Sequence, residues 1–199
     1  MRYTSALQIL RYMRANYGRQ LSISAVCRGV ALSYQPIHYH IRELEKLTVL
    51  GTSRLGRESL CMFVNSSATA LWLGMLCREQ QQQATGLAAE LTVGLRPHLS
   101  RRWQAFDCIA VLPEESRVIA VLKDLEDHTV TSIVARCQAV SAALEVDLMS
   151  AGEFLEHFGA ASGLAWAQRA VIIAGHQSFW QYALTAGEGL GLVLPAPTD

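Results

Sequence analysis

The chain has 199 residues, of which 51% are hydrophobic and 17% are charged, which is enough apolar material for one large domain or two small ones. This balance excludes an intrinsically disordered protein, because such chains combine low hydrophobicity with a high net charge. No stretch approaches the roughly 18 consecutive apolar residues of a membrane span, and the first residues do not follow the basic-then-apolar order of a signal peptide. We therefore expect a cytoplasmic protein with no membrane partner.

The net charge of zero conceals an uneven distribution of charge along the chain. Residues 1–66 contain nine lysines and arginines and three acidic residues, a net charge of +6, whereas residues 67–199 carry a net charge of −6. A basic first third indicates an anionic partner, and nucleic acid is the first candidate. The alternative is that the asymmetry reflects chance and solubility alone.

The cysteines are odd in number and widely spaced, and none of them forms a Cys-x-x-Cys pair: Cys27, Cys61, Cys77, Cys108 and Cys137. This spacing argues against a disulfide scaffold and against a zinc site. We expect buried, unreactive thiols, because free cysteine is among the most buried residue types.

Three helices are predicted in the first 47 residues, over about 5–17, 25–30 and 34–47. The third follows Ser33, a good N-cap residue. Pro36 falls in its first turn, where the missing N–H breaks no helical hydrogen bond.

The third predicted helix has an apolar face, formed by Ile37, Ile41 and Leu44, and an opposite polar face. The polar face carries amide, imidazole, phenol and guanidinium groups, which can read base edges and contact phosphates. The predicted DNA-binding residues at and along this helix are Ser33, Tyr34, Gln35, His38, Tyr39 and Arg42. The alternative is an ordinary solvated helix face.

Residues 52–65 predict two short strands around a turn at Gly56. Arg54 and Arg57 lie at the tip of this hairpin, where they could contact phosphate, and they complete the set of predicted DNA-binding residues. A β-hairpin with a basic tip directly after such a helix is typical of the wing of a winged helix.

Residues 21–65 resemble the DNA-binding segment of MarR- and ArsR-type winged-helix regulators. The positions that match the pattern are Ser33, Pro36, Leu44, Glu45, Leu50 and Gly51, followed by a closing Asn65. The resemblance covers about a third of the chain and implies a winged helix-turn-helix in residues 1–66. It implies DNA binding less strongly, because winged helices also serve as protein-interaction modules.

Residues 67–100 favour a long helix, with Pro97 marking its end. In the regulators that the first third resembles, such a helix often carries the dimer contact, which implies a homodimer. The alternative is a connector that packs on its own chain.

Residues 101–184 predict a small α/β domain. Its first strand, 106–112, is continuously apolar, as expected of a strand covered on both faces. The remaining elements are a strand near 116–122, whose spacing also tolerates a helix, a strand at 146–149, a strand or buried turn at 170–174, a helix over 131–144 and a helix capped by Ser150. The glycine- and proline-containing tail, 185–199, is predicted to be flexible.

This order of elements is similar to small nucleotidyltransferase domains, which need a Gly-Ser turn and clustered carboxylates that bind two metal ions. In this chain Leu112 and Pro113 occupy the turn, Arg117 and Ile119 occupy carboxylate positions, and only Asp147 matches the third carboxylate. The resemblance therefore implies the fold without the chemistry: no catalytic residues, no metal and no cofactor. No nucleophile elbow, phosphate-binding glycine loop or His-x-x-x-His pair occurs elsewhere.

Together these patterns predict an α+β protein with an N-terminal winged helix-turn-helix, a long linker helix and a small C-terminal α/β domain. The predicted function is transcription regulation by a homodimer that binds double-stranded DNA, with a non-catalytic C-terminal domain for dimerisation or for sensing a small-molecule or protein effector. The alternatives are a divergent nucleotidyltransferase whose winged helix recruits the substrate, and a winged-helix protein-interaction module.

Overall fold

The structure is a computed structural model that describes residues 3–102, 105–123 and 128–197. It is an α+β chain with one three-stranded and one four-stranded sheet among these residues. The helices are α1 (Tyr3–Ala15), α2 (Ile23–Val30), α3 (Tyr34–Lys46), α4 (Ser67–Gln82), α5 (Gly86–Arg102), α6 (His128–Val140), α7 (Ala151–Phe158), α8 (Ala161–Arg169) and α9 (His176–Gly189). The strands are β1 (Leu21–Ser22), β2 (Leu50–Leu55), β3 (Glu58–Phe63), β4 (Phe106–Leu112), β5 (Arg117–Leu122), β6 (Glu145–Ser150) and β7 (Val171–Ala174).

Residues 3–63 form three helices and an antiparallel sheet in the order β1-β3-β2. The three helices and the hairpin that the sequence predicts here are present. The short β1 was not predicted; it pairs Leu21 with Cys61 and so ties the hairpin to the start of α2. The side chain of Ser22 caps α2 by accepting a hydrogen bond from the backbone N–H of Ala25, which satisfies one of the free donors of the first turn.

The prediction of one long helix over residues 67–100 is wrong, because two helices occupy this region. α4 ends at Gln82 and α5 begins at Gly86, whose φ of +57° is the left-handed conformation that glycine adopts without strain. Pro97 does not end the helix but lies inside α5. The break lets α4 and α5 pack on opposite faces of the four-stranded sheet.

The four-stranded sheet has the order β6-β5-β4-β7, with β5 and β6 parallel and the other pairs antiparallel. β4 is covered on both faces, as its apolar sequence predicts. Cys108 and Ala110 face a cluster formed with α4, α7, α8 and α9, whereas Ile109 and Val111 face α5 and α6. The result is three layers, with helices on both sides of the sheet.

One apolar cluster continues from the N-terminal helices into the C-terminal layers. It joins Ile9 and Ile41 to Leu73 of α4, Phe154 of α7 and Trp180 of α9, all of them at most 1% exposed. The predicted boundary at residue 66 therefore lies within a continuous core.

The tail predicted to be flexible from residue 185 onward is ordered through its first half. α9 continues to Gly189, and Val193 is buried. The backbone N–H of Leu194 then donates to the carbonyl of Phe63, and the N–H of Asn65 donates to the carbonyl of Leu194. The glycines allow this return of the chain, and the apolar side chains beside them provide the burial that holds it.

The cysteines are unpaired, and all except the half-buried Cys27 are buried, as predicted. Burial raises the pKa of Cys61 to about 12 and the pKa of Cys137 to about 11, so these thiols stay protonated near neutral pH. Across the described ranges, no helix is both long and apolar enough to cross a membrane.

Candidate nucleic-acid interface

The orientation of α3 is set by its apolar face. Ile37, Ile41 and Leu44 are at most 2% exposed and pack in the core with side chains of α1, including Ile9 and Leu10. This packing turns the opposite face of α3 toward solvent. The polar side chains predicted to read DNA therefore lie where a duplex could reach them.

The first turns of α3 present two exposed aromatic rings. Tyr34 and Tyr39 are each 54% exposed, and the ring of Tyr34 stacks on the half-buried imidazole of His38 with 5.6 Å between centroids. Gln35 is exposed, and Ser33 is exposed at the N-cap position without making a side-chain capping bond. These groups offer both donors and acceptors to a partner.

The cations farther along α3 are partly neutralised within the helix itself. Arg42 forms an ion pair with Glu45 at 3.0 Å, and the other oxygen of Glu45 accepts a hydrogen bond from the Thr52 hydroxyl at 2.8 Å. Lys46 forms an ion pair with Glu43 at 2.8 Å, and this contact raises the pKa of Lys46. The Arg42 guanidinium is therefore partly committed to Glu45 through Nη1.

The hairpin presents cations without such partners. Leu55 pairs with Glu58 across a two-residue turn, and Gly56 has a φ of +60°, as a tight hairpin turn requires. Arg54 and Arg57 are exposed beside this turn, and neither forms an ion pair with a described residue. They are the cations of this region most available to an anion.

Tyr34 and Arg57 both line a depression of about 160 Å³ between α2, α3 and the hairpin. Its other lining residues are Ser22, Ile23, Ser24, Glu58 and Ser59. A guanidinium, serine hydroxyls and a phenol can together hold a phosphate oxygen, whereas the carboxylate of Glu58 opposes one. Arg42 and Arg54 lie outside this depression.

Sequence reasoning missed the three serines of the depression. Ser22 and Ser24 are each predicted only as possible caps of the second helix, and Ser59 carries no signal of its own. The missing information was the pairing of β1 with β3, which aligns Ser22 with Leu60 and so brings the start of α2 beside the hairpin.

The C-terminal sheet holds an ion-pair cluster where the nucleotidyltransferase resemblance places metal ligands. Arg117 lies 3.0 Å from Glu145 and 3.3 Å from Asp147, and its third carboxylate neighbour, Glu115, is 3.9 Å away. Hydrogen bonding to Glu145 is the main cause that raises the pKa of Arg117. In the part of the chain that is described, no three histidine, cysteine or carboxylate side chains are arranged so that they could hold a metal ion.

Comparisons with protein-family models, with curated proteins and with solved structures give no match to this chain.

Proposed function

We propose that this protein is a cytoplasmic transcription regulator that binds double-stranded DNA, with residues 1–66 acting as a winged helix. The observation that carries the proposal is the exposed polar face of α3 beside a hairpin whose tip holds two arginines that form no ion pair with a described residue. The helix–strand–helix–helix–hairpin order supports the same assignment.

In this proposal α3 lies in the major groove. Gln35 and Arg42 would make bidentate contacts with base edges, each of which discriminates against a wrong base by about 1–3 kcal/mol. Tyr39 would contact a base edge or the sugar, and the hairpin would contact phosphate through Arg54 and Arg57. The net charge of +6 in residues 1–66 favours the approach of this end of the protein to DNA.

We assign no catalytic role to the C-terminal half. Two-metal transfer of a nucleotidyl group needs carboxylates that are free to bind cations. In this chain the guanidinium of Arg117 already occupies the space between Glu145 and Asp147. This contact supports a structural use of those carboxylates.

The proposed regulator is a homodimer. Leu71 and Met75 lie one turn apart on α4, and each is more than half exposed although apolar. A second copy packed on this stripe would present two α3 helices to paired half-sites. We expect sedimentation to give twice the monomer mass of 21.9 kDa, and a Leu71→Glu, Met75→Glu variant to give the monomer mass.

Selection of bound fragments from a genomic DNA library with the purified full chain tests the proposal. We expect enrichment of an inverted repeat with half-sites about 10–11 base pairs apart. Gln35→Ala and Arg42→Ala should weaken binding to the enriched site by about ten-fold or more and leave binding to scrambled DNA nearly unchanged. Arg136→Gln, on the exposed surface of α6, is the control and should behave like the parent protein. A selected pool that resembles the input library would contradict the proposal.

A further inference from the structure

A large cavity lies away from the candidate interface. It has a volume of about 870 Å³ and opens between the end of α4, the outer face of α5 and the junction of β7 with α9. Ligand sites for small molecules commonly have volumes of about 300–1,000 Å³. Neither the proposed DNA contact nor the Arg117 cluster uses any residue of this cavity.

Two arginines give the cavity its charge. Arg78 of α4 and Arg96 of α5 are exposed at its wall, and neither is paired with a carboxylate among the described residues. The described residues that line the cavity include no aspartate or glutamate. A cavity with two cations and no carboxylate in its described lining favours an anionic ligand.

The floor of the cavity is fixed by a pair of neutral polar side chains. Gln81 donates to the carbonyl of Ile173 at 2.9 Å, and its side-chain oxygen lies 3.1 Å from Nε2 of His176. Burial, together with the charge of Arg78, lowers the pKa of His176 to about 4, so the imidazole is uncharged at neutral pH. The positive charge offered to a ligand therefore comes from the arginines.

The start of α9 adds to this positive environment. Gly175 precedes α9 and provides no side-chain cap for its first turn. Residues of this turn line one depression together with Arg78, which places the positive end of the helix dipole on the same side of the cavity. A second depression, of about 320 Å³, shares Arg78, Gly175 and His176 with the main cavity. The helix dipole therefore adds positive potential on the Arg78 side of the cavity.

The α5 wall of the cavity is apolar on both sides of Arg96. Ala89, Val93 and Leu99 line this wall, and Val93 is 73% exposed. An isolated exposed valine needs no explanation, but here Val93 and Leu99 flank Arg96 on α5 and share one cavity with Arg78 of α4. This arrangement matches a ligand with a charged end and an apolar body.

We propose that this cavity binds a small organic anion, with one carboxylate, phosphate or sulfonate group held by Arg78 and Arg96 and an apolar body packed against Val93 and Leu99. The site shares no residue with the proposed DNA-binding surface, so it does not depend on DNA binding, whereas Leu71 and Met75 of the proposed dimer contact line the adjoining depression.

Titration of the full chain with 1-anilinonaphthalene-8-sulfonate, which joins a sulfonate to an apolar ring system, tests the proposal by fluorescence. We expect saturable binding of one dye per chain. Arg78→Gln and Arg96→Gln should each weaken binding by about ten-fold. Arg28→Gln, an exposed arginine on α2, is the charge-matched control and should leave binding unchanged. The uncharged analogue N-phenyl-1-naphthylamine should bind weakly and with the same affinity in all of these proteins.

Val93→Glu provides a second measurement at an exposed position where misfolding is not expected. It places a carboxylate on the apolar wall and should abolish dye binding while leaving the circular dichroism spectrum and the unfolding midpoint unchanged. Dye binding that is equal in the parent protein and in all three cavity variants would overturn the proposal. Failure of the parent protein to bind the dye would overturn it as well, whether sedimentation gives the mass of a monomer or of a dimer.

Discussion

Replacement of Trp180 with alanine removes a side chain on which three helices of the structure converge. The indole is fully buried in α9, its ring lies 5.6 Å from that of Tyr17, and its N–H points to the Cys77 sulfur of α4 at 3.0 Å. The guanidinium of Arg14 in α1 lies 5.7 Å from the same ring. The substitution therefore opens a cavity between the N-terminal and C-terminal halves, and not within one of them.

The complete burial of Trp180 sets the expected loss of unfolding free energy. Large-to-small substitutions of fully buried tryptophan cost about 3–5 kcal/mol of unfolding free energy. For a chain of this length each kcal/mol lowers Tm by about 2–4 °C, so Trp180→Ala should lower Tm by roughly 6–20 °C. Because one apolar cluster spans both halves, the whole chain should still unfold in a single transition.

Urea unfolding followed by far-UV circular dichroism measures this loss, with scanning calorimetry as a check on cooperativity. Trp72→Ala, at a half-buried position on α4, is the control and should cost no more than about 2 kcal/mol. A loss under about 1 kcal/mol for Trp180→Ala would refute the reasoning. So would two separate transitions of which only one moves, because the halves would then not share a core.

Two further predictions concern local structure. Gly175→Ala should cost about 3 kcal/mol of unfolding free energy in urea, because φ is +66° and a Cβ would lie 1.8 Å from the Asp107 carbonyl oxygen. Gly191→Ala is the control and should cost about 1 kcal/mol, because φ is +69° but the space around it is open. Equal losses would contradict the close approach of the Gly175 backbone to Asp107. Hydrogen bonds from the Ser150 backbone and hydroxyl lower the pKa of Glu153, so the cap of α7 should stabilise the fold at neutral pH and lose this contribution as pH falls through the lowered pKa. Ser150→Ala should move the pKa of Glu153 part of the way back up in an NMR titration, because the backbone bond remains, and an unchanged pKa would contradict the contribution of the hydroxyl.

Short-range patterns account for the parts of the fold that sequence reasoning predicted well. The spacing of Ile37, Ile41 and Leu44 defines the buried face of α3, and the apolar run of β4 predicts a strand covered on both sides. Both are patterns of residues that lie close together in the sequence. The capping box of Ser150 and Glu153 is likewise a local signal.

The parts that were missed depend on contacts between distant residues. Nothing near Leu194 indicates that it bridges to Val64, and the two-residue β1 is too short for any periodicity. The break before Gly86 was missed because the helix-favouring residues on both sides outweighed a single glycine. At the candidate interface, the exposed side chains of α3 were predictable from the helical pattern alone. That Tyr34 and Arg57 line one depression was not predictable, because it depends on how the strands pair in the sheet.

The salt dependence of DNA binding tests the central claim most directly. Fluorescence anisotropy with a labelled duplex, repeated at several salt concentrations, gives the slope of log affinity against log salt. If Arg54 and Arg57 contact phosphate, the double variant Arg54→Gln, Arg57→Gln should flatten this slope by about two units, because each phosphate contact contributes about one. Arg136→Gln, which removes an exposed arginine on α6, should keep the parent slope. Equal slopes in all three proteins, or no binding by the parent protein even at low salt, would contradict the assignment of α3 and the hairpin as a DNA-binding surface.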